Sequence, residues 1–434
     1  MVKKLLNKLK GVYKGGLFHI FGSNVIANVC HLLSSVLVVR FLPKLQYGNY
    51  VSANNLYSYL TVFIGMGFAN AIIQYCSERI SLQQKNSVYR YTFVNGFVFN
   101  FILTVIMLVV SLLKLHSGNA DTAKYLILMC GYPFTSYVLT FFQSVLRIKL
   151  KNKEYAKVNM VSTVTQLVGN IAFTYFFGVE GFIVSCYIAQ IISVCAAGVF
   201  LKKEGFFAEV KSCSEKLSRS YRIGIARYAF VTAVTNFSSN ILVLLDVTCL
   251  DLIFSDSVIL ADYHIATVIP NACLFIPSGL IIYYYPQMVD ARSSGWIEFK
   301  KYTKKLAKIF AGVSFVVTVI GFVFAPLAIK MVYGEKYMSA VPIMRVLMLN
   351  YFATSSLRKL LGNIIAVLKR VEINLINSVL SGLINIVLNI VLIKWIGVIG
   401  AALSTLIVTV FITLLELSFL YRENKKQTKE ANTI

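Results

Sequence analysis

Apolar runs of membrane length recur along the whole chain, separated by short polar connections. About 20 helical residues cross the hydrocarbon core of a bilayer, so each run predicts a spanning helix. Twelve spans are expected, near 17–39, 50–75, 92–113, 125–146, 156–177, 181–201, 223–246, 262–284, 306–329, 341–366, 374–395 and 399–421. A membrane barrel would show short alternating strands with polar lumen faces, and that pattern is absent. The expected fold class is an all-α polytopic membrane protein.

The pattern repeats itself. "FFGVEGFIVSCYIAQ" (176–190) and "WIGVIGAALSTLIVT" (395–409) share the frame G-V-x-G-x-x-x-S. At an offset of 219, Ser162 meets Ser381, Asn170 meets Asn389, and Gly178, Val179, Gly181 and Ser185 meet Gly397, Val398, Gly400 and Ser404. A weaker echo relates 48–60 to 261–274. Residues 1–210 and 211–434 are therefore expected to form two six-helix halves. Six is even, so both halves begin on the same side of the membrane. Parallel repeats of this kind are one architecture of secondary transporters, with the substrate site at the repeat interface.

Polar positions inside the spans select faces. Asn24, Asn28, His31 and Ser35 lie on one side of the first helix, and Thr232, Thr235, Asn236, Ser239 and Asp246 on one side of the seventh. Facing lipid, such stripes would be costly. They either bond neighbouring helices or line a hydrophilic cleft between the halves. The matching stripes on corresponding helices favour the cleft. His31 is expected either to titrate in a proton-coupled cycle or to be held structurally. Asp246 reads as a coupling-ion site or as an exposed carboxylate at a helix end. Tyr57 and Tyr59 are expected to pack against neighbours.

Charge orients the chain. Its 434 residues are 57% hydrophobic and 14% charged, with a net charge of +24. Lys and Arg concentrate in alternate connections, which predicts both termini in the cytosol. That distribution, with no basic soluble face, excludes nucleic acid as the partner. The basic segment 1–16 reads as a cytosolic interfacial lead-in, not a signal peptide. Cations within spans are scarcer. Arg227, Arg358 and Lys359 point to an anionic substrate, and a phosphate or pyrophosphate suits the guanidinium fork. Internal pairing or snorkelling is the alternative for each.

The eight cysteines are scattered without a CxxC pair and read as small buried hydrophobes. No HExxH, P-loop or GxSxG element occurs, so neither a metal, a cofactor nor an enzymatic activity is expected.

Three stretches carry a family resemblance. Arg40, Leu42, Gly48, Tyr50, Gly65 and Gly67, within 38–75, resemble the first spans of the polysaccharide-transporter family. Tyr333, Gly334, Tyr337 and Ala340 resemble its segment before span ten, and the G-V-x-G turns resemble its G-x-x-G-A-A element, with Phe182 in place of the usual Ala. The family comprises the O-antigen and capsule repeat-unit flippases (Wzx-type), in the superfamily of MATE-type multidrug extruders. The resemblance implies a MATE-like pair of six-helix lobes in the bacterial cytoplasmic (inner) membrane. It implies alternating-access flipping of an undecaprenyl-pyrophosphate-linked oligosaccharide, with membrane lipid, a coupling ion (H+ or Na+) and a polysaccharide polymerase as partners. The expected cavity residues are Asn24, Asn28, His31, Arg227, Thr232, Asn236, Ser239, Arg358 and Lys359; Asp246 and His31 are the expected ion-coupling residues. The alternative is a multidrug or metabolite antiporter of the same superfamily, although its cavity would be acidic. A membrane glycosyltransferase would need a larger outer loop or clustered carboxylates.

Overall fold

The computed structural model describes residues 17–77, 80–212, 217–368 and 370–431. The basic lead-in 1–16 and Cys213 lie outside the described residues. Among the described residues the structure is helical throughout and has no strand. Eight helices among the described residues are long and apolar enough to cross a membrane. One of them, Asn152–Lys203, bends at Gly178 into two spans. Leu17–Phe41, Arg219–Phe254 and the broken helix running from Val341–Ala353 to Lys359–Val367 complete the twelve.

These helices form two compact units, Met1–Phe237 and Ser238–Ile434. The division falls within Arg219–Phe254, downstream of the 210/211 point that internal repetition marks. Apolar burial contributes little between helices in lipid, whose tails are as apolar as Leu; close packing and hydrogen bonds hold such bundles. Many large apolar side chains are accordingly exposed, Phe101, Leu113, Phe176, Phe315, Val387 and Trp395 among them.

In the first unit the second span, Lys44–Cys76, is broken at Gly65–Gly67, where Gly65, Met66 and Gly67 have φ of 57°, 49° and 76°. Left-handed backbone suits glycine because it lacks Cβ. Space demands it too. A Cβ on Gly65 would strike the Tyr137 ring, and one on Gly67 would strike the Ala229 carbonyl. The break frees backbone groups that lipid cannot satisfy. Asn100 resolves part of this. Its Oδ1 accepts from the Gly65 N–H at 2.8 Å, and its Nδ2 donates to the Pro133 carbonyl at 3.2 Å. Tyr137, fully buried, donates from its hydroxyl to the Thr92 carbonyl at 2.7 Å. Around it pack Phe68, Tyr89, Phe141 and Val145. Tyr57 meets Tyr132 edge-on at 5.7 Å and is buried, so it packs against a neighbour.

In the second unit Asp256 starts a helix. Its Oδ1 accepts from the Val258 N–H at 2.8 Å and caps Ser257–Cys273. Tyr333, Tyr337 and Ala340 of the family-like segment are buried, and Gly334 between them takes φ 93°. Met288, Phe299, Phe310 and Leu360 belong to a separate buried cluster of this unit.

The doubled stretch folds the same way twice. Gly178 has φ 60° and ψ −141°; Gly397 has φ 70° and ψ −150°. A Cβ on Gly181 would collide with the Phe173 carbonyl, and one on Gly400 with the Leu392 carbonyl, again 219 residues apart. Each pair of glycines turns the chain back so tightly that two spans join with no intervening loop.

Candidate functional site

Span ten of the second unit is not a regular α-helix. Thr354–Arg358 forms a π turn between Val341–Ala353 and Lys359–Val367. Single π turns widen a helix locally and recur at functional sites. Consecutive residues of an α-helix point about 100° apart. Here Arg358 and Lys359, at the end of the widened turn, both line one cavity of about 460 Å³. Leu274 borders it from span eight, Asn374 and Asn377 from span eleven, and Glu416 from span twelve.

The two cations differ in their fixing. Lys359 Nζ donates to Ser278 Oγ and to the Leu274 carbonyl, the latter at 3.4 Å. Among the described residues Arg358 Nη1 reaches only Thr409 Oγ1, at 3.4 Å. A guanidinium carries five N–H donors, so most of the Arg358 fork is left for something else. Glu416 is 4% exposed, yet it forms no direct ion pair with Arg358 among the described residues.

A second, smaller cavity of about 70 Å³ shares Leu274 and Thr354 with the first and reaches Asp246. Asp246 is 3% exposed. The expectation of an exposed carboxylate at a helix end is therefore corrected: the seventh helix continues to Phe254, about two turns further. A buried carboxylate is costly unless hydrogen-bonded. Four neutral donors serve it. Tyr263 Oη and Thr405 Oγ1 donate to Oδ2 at 2.7 and 2.6 Å; Asn389 Nδ2 and Asn385 Nδ2 donate to Oδ1 at 2.8 and 3.3 Å. Ser404 donates in turn to Asn389 Oδ1. The first unit holds the equivalent motif with different chemistry: Asn170 Nδ2 donates to Ser34 Oγ at 2.8 Å, and Ser185 Oγ to Asn170 Oδ1 at 2.6 Å.

Of the residues that sequence selects, Arg358 and Lys359 come together. Asn28, His31 and Arg227 are exposed and line neither of these cavities. Thr232 turns its hydroxyl to its own helix, donating to the Tyr228 and Ala229 carbonyls at 2.7 and 2.8 Å. The side chains of Asn24, Asn236 and Ser239 lie outside the described residues. Cys76, Cys130, Cys186 and Cys249 are buried, as expected of small hydrophobes, while Cys195 is exposed.

Sequence reasoning missed Glu416, Asn374, Asn377 and Asn385. A signal was present. Asn374, Asn377, Ser381, Asn385 and Asn389 recur at three- and four-residue steps, a polar stripe along span eleven. Glu416 is the lone carboxylate in the apolar run 398–420.

The fold has solved counterparts. An inward-facing multidrug resistance MATE family transporter of the MOP superfamily superposes with a TM-score of 0.77 at 14% identity, over 93% of this chain and 96% of its own. The lipid II flippase MurJ in an inward closed conformation gives 0.71 at 15% identity, over 93% of this chain and 87% of its own. An uncharacterized membrane protein of Methanocaldococcus jannaschii is 23% identical over 90% of this chain and 80% of its own length. The family model described as polysaccharide biosynthesis protein matches residues 14–284, more than half of the sequence. This multi-pass membrane protein, with its MATE-like fold, belongs to the polysaccharide biosynthesis protein family.

Proposed function

We propose that this protein is a flippase that moves an undecaprenyl-pyrophosphate-linked oligosaccharide repeat unit, of O-antigen or capsule type, across the bacterial cytoplasmic membrane by alternating access. The carrying observation is the cavity that Arg358 and Lys359 line within an otherwise apolar helix, in a chain of the polysaccharide biosynthesis family. A pyrophosphate and sugars lose their hydration when they cross roughly 30 Å of hydrocarbon. Forked, charge-assisted hydrogen bonds replace part of that hydration while the prenyl tail stays in lipid. On this reading both termini are cytosolic and the repeat halves 1–210 and 211–434 supply the two lobes. Asn24, Asn28, His31, Arg227, Thr232, Asn236 and Ser239 remain proposed substrate-contacting positions, separate from the lining of the Arg358 and Lys359 cavity.

Asp246 is the proposed exchange site for a coupling ion, H+ or Na+. Its donors, Tyr263, Thr405, Asn385 and Asn389, are neutral, so a bound proton or monovalent cation would be the first positive charge to meet this carboxylate. Exposed His31 is the second proposed coupling group.

Depletion of the protein in its native cell tests the function. Lipid-linked repeat units should accumulate on the cytosolic leaflet and surface polymer should fall. Normal surface polymer with altered sensitivity to cationic drugs would instead assign the chain to the antiporters.

A further inference from the structure

The cavity in the second unit is chemically mixed. Its cations ask for anionic oxygens, but two of its buried polar atoms ask for the opposite. Glu416 Oε2 and Asn374 Oδ1 are buried acceptors with no hydrogen-bond donor, while Asn377 Nδ2, lining the same cavity, is a buried donor with no acceptor and so joins the cations in asking for oxygen. The Asn374 amide is oriented by its own bond, Nδ2 to the Gly362 carbonyl at 3.0 Å, which leaves Oδ1 as the unsatisfied end. Both residues line the cavity that holds Arg358 and Lys359. Leaving a buried acceptor unmatched is costly, more so for a charged one. Such atoms in a ligand-sized cavity mark where a ligand's donors go.

No single simple group satisfies this set. Inorganic phosphate would meet Arg358 and Lys359, but with only one or two P–OH donors near neutral pH it would also set charged oxygens against the Glu416 carboxylate. A neutral polyol would give hydroxyl donors to Glu416 and Asn374 and leave both cations unanswered. A phosphate bonded to a hydroxyl-bearing ring does both. We propose that this cavity is a sugar-phosphate subsite, in which Arg358 and Lys359 hold the phosphate while Glu416 and Asn374 accept hydrogen bonds from ring hydroxyls. Glu416 is then a specificity residue that reads the first sugar, not a counter-ion for Arg358. The inference rests on the flippase reading for the source of its ligand, since a lipid-linked repeat unit begins with a sugar joined to phosphate.

The full-length protein in lipid nanodiscs would be titrated calorimetrically with glucose 1-phosphate, N-acetylglucosamine 1-phosphate, inorganic phosphate and free glucose. At least one sugar phosphate should bind about tenfold more tightly than inorganic phosphate, the worth of one hydrogen bond to a charged acceptor, and glucose should bind least. Glu416→Gln should shrink that preference by about tenfold, chiefly by strengthening inorganic phosphate binding as like-charge repulsion is relieved. Asn374→Leu, which leaves every charge in place, should weaken the sugar phosphate and spare inorganic phosphate. Equal affinity of the sugar phosphates and phosphate, or a preference untouched in both variants, overturns the subsite. If no sugar phosphate binds but depletion still traps repeat units on the cytosolic leaflet, this inference falls and the flippase reading stands. If the preference holds and depletion leaves surface polymer normal, the subsite stands and that reading falls.

Discussion

Asn389 extends its amide nitrogen to Asp246 at 2.8 Å, as Asn170 extends its own to Ser34 at 2.8 Å in the first unit. The two asparagines are 219 residues apart, and each accepts from a serine on the following span, Ser404 or Ser185. One framework thus carries a hydroxyl in one copy and a carboxylate in the other.

That carboxylate should be irreplaceable by its amide. In Asp246→Asn one side-chain oxygen becomes an NH2 group facing N–H or O–H donors. Leaving one or two buried donors unmatched should lower stability by about 1–3 kcal/mol. Thermal unfolding in detergent reads this loss, and any dependence of export on Na+ or pH should vanish with it. Full stability together with retained ion dependence would remove Asp246 from the coupling site.

Arg358→Ala removes the least-committed cation of the large cavity. Charged hydrogen bonds are worth about 1.5–3 kcal/mol, so export should fall by roughly tenfold to a hundredfold with the protein still present at normal level. Lys359→Ala should act in the same direction. Arg227→Ala supplies a test of its proposed place: undiminished surface polymer would take that exposed residue off the list of substrate-contacting positions.

The hairpin glycines should resist substitution for two separate reasons. Gly178→Ala and Gly397→Ala place Cβ on backbone near φ 60–70° and ψ −141° to −150°, a region essentially reserved for glycine. Strain of this kind costs of order 1–3 kcal/mol. Gly181→Ala and Gly400→Ala set Cβ against the carbonyls of Phe173 and Leu392 and should be at least as harmful. Gly312→Ala, where a Cβ meets open space, should be harmless by the same measure, the yield of folded protein after extraction.

The break in span two depends on Asn100. Asn100→Leu deprives the buried Gly65 N–H of its acceptor and should lower the unfolding free energy of the first unit by about 1–3 kcal/mol. Asn100→Asp keeps an acceptor for Gly65 but buries a carboxylate against the Pro133 carbonyl oxygen, so it should destabilise at least as much as Asn100→Leu.

The spans were legible in sequence because membrane crossing imposes one length and one polarity on every helix. The repeat was legible because its glycines stand at fixed spacing. Depth was harder to read. "DVTCLDLIF" continues as helix after Asp246, and its further acidic residue, Asp251, gives the run the look of a helix end. The large cavity was half visible. Arg358 and Lys359 announce themselves as charges in an apolar run, but Glu416 joins them across 57 residues of chain through the packing of spans ten and twelve. The π turn that turns both cations into one cavity leaves no mark in the periodicity of 341–367.

The paired hairpins also bear on how the two copies drifted apart. Where glycine alone fits, neither copy had freedom to change, so the tight reversals at 178 and 397 stayed alike. One helix away, at Ser34 and Asp246, any residue able to accept a hydrogen bond from the asparagine was admissible. Steric necessity thus froze the scaffold while leaving its partner position open to invention, and an ionisable group arose in only one of the twins.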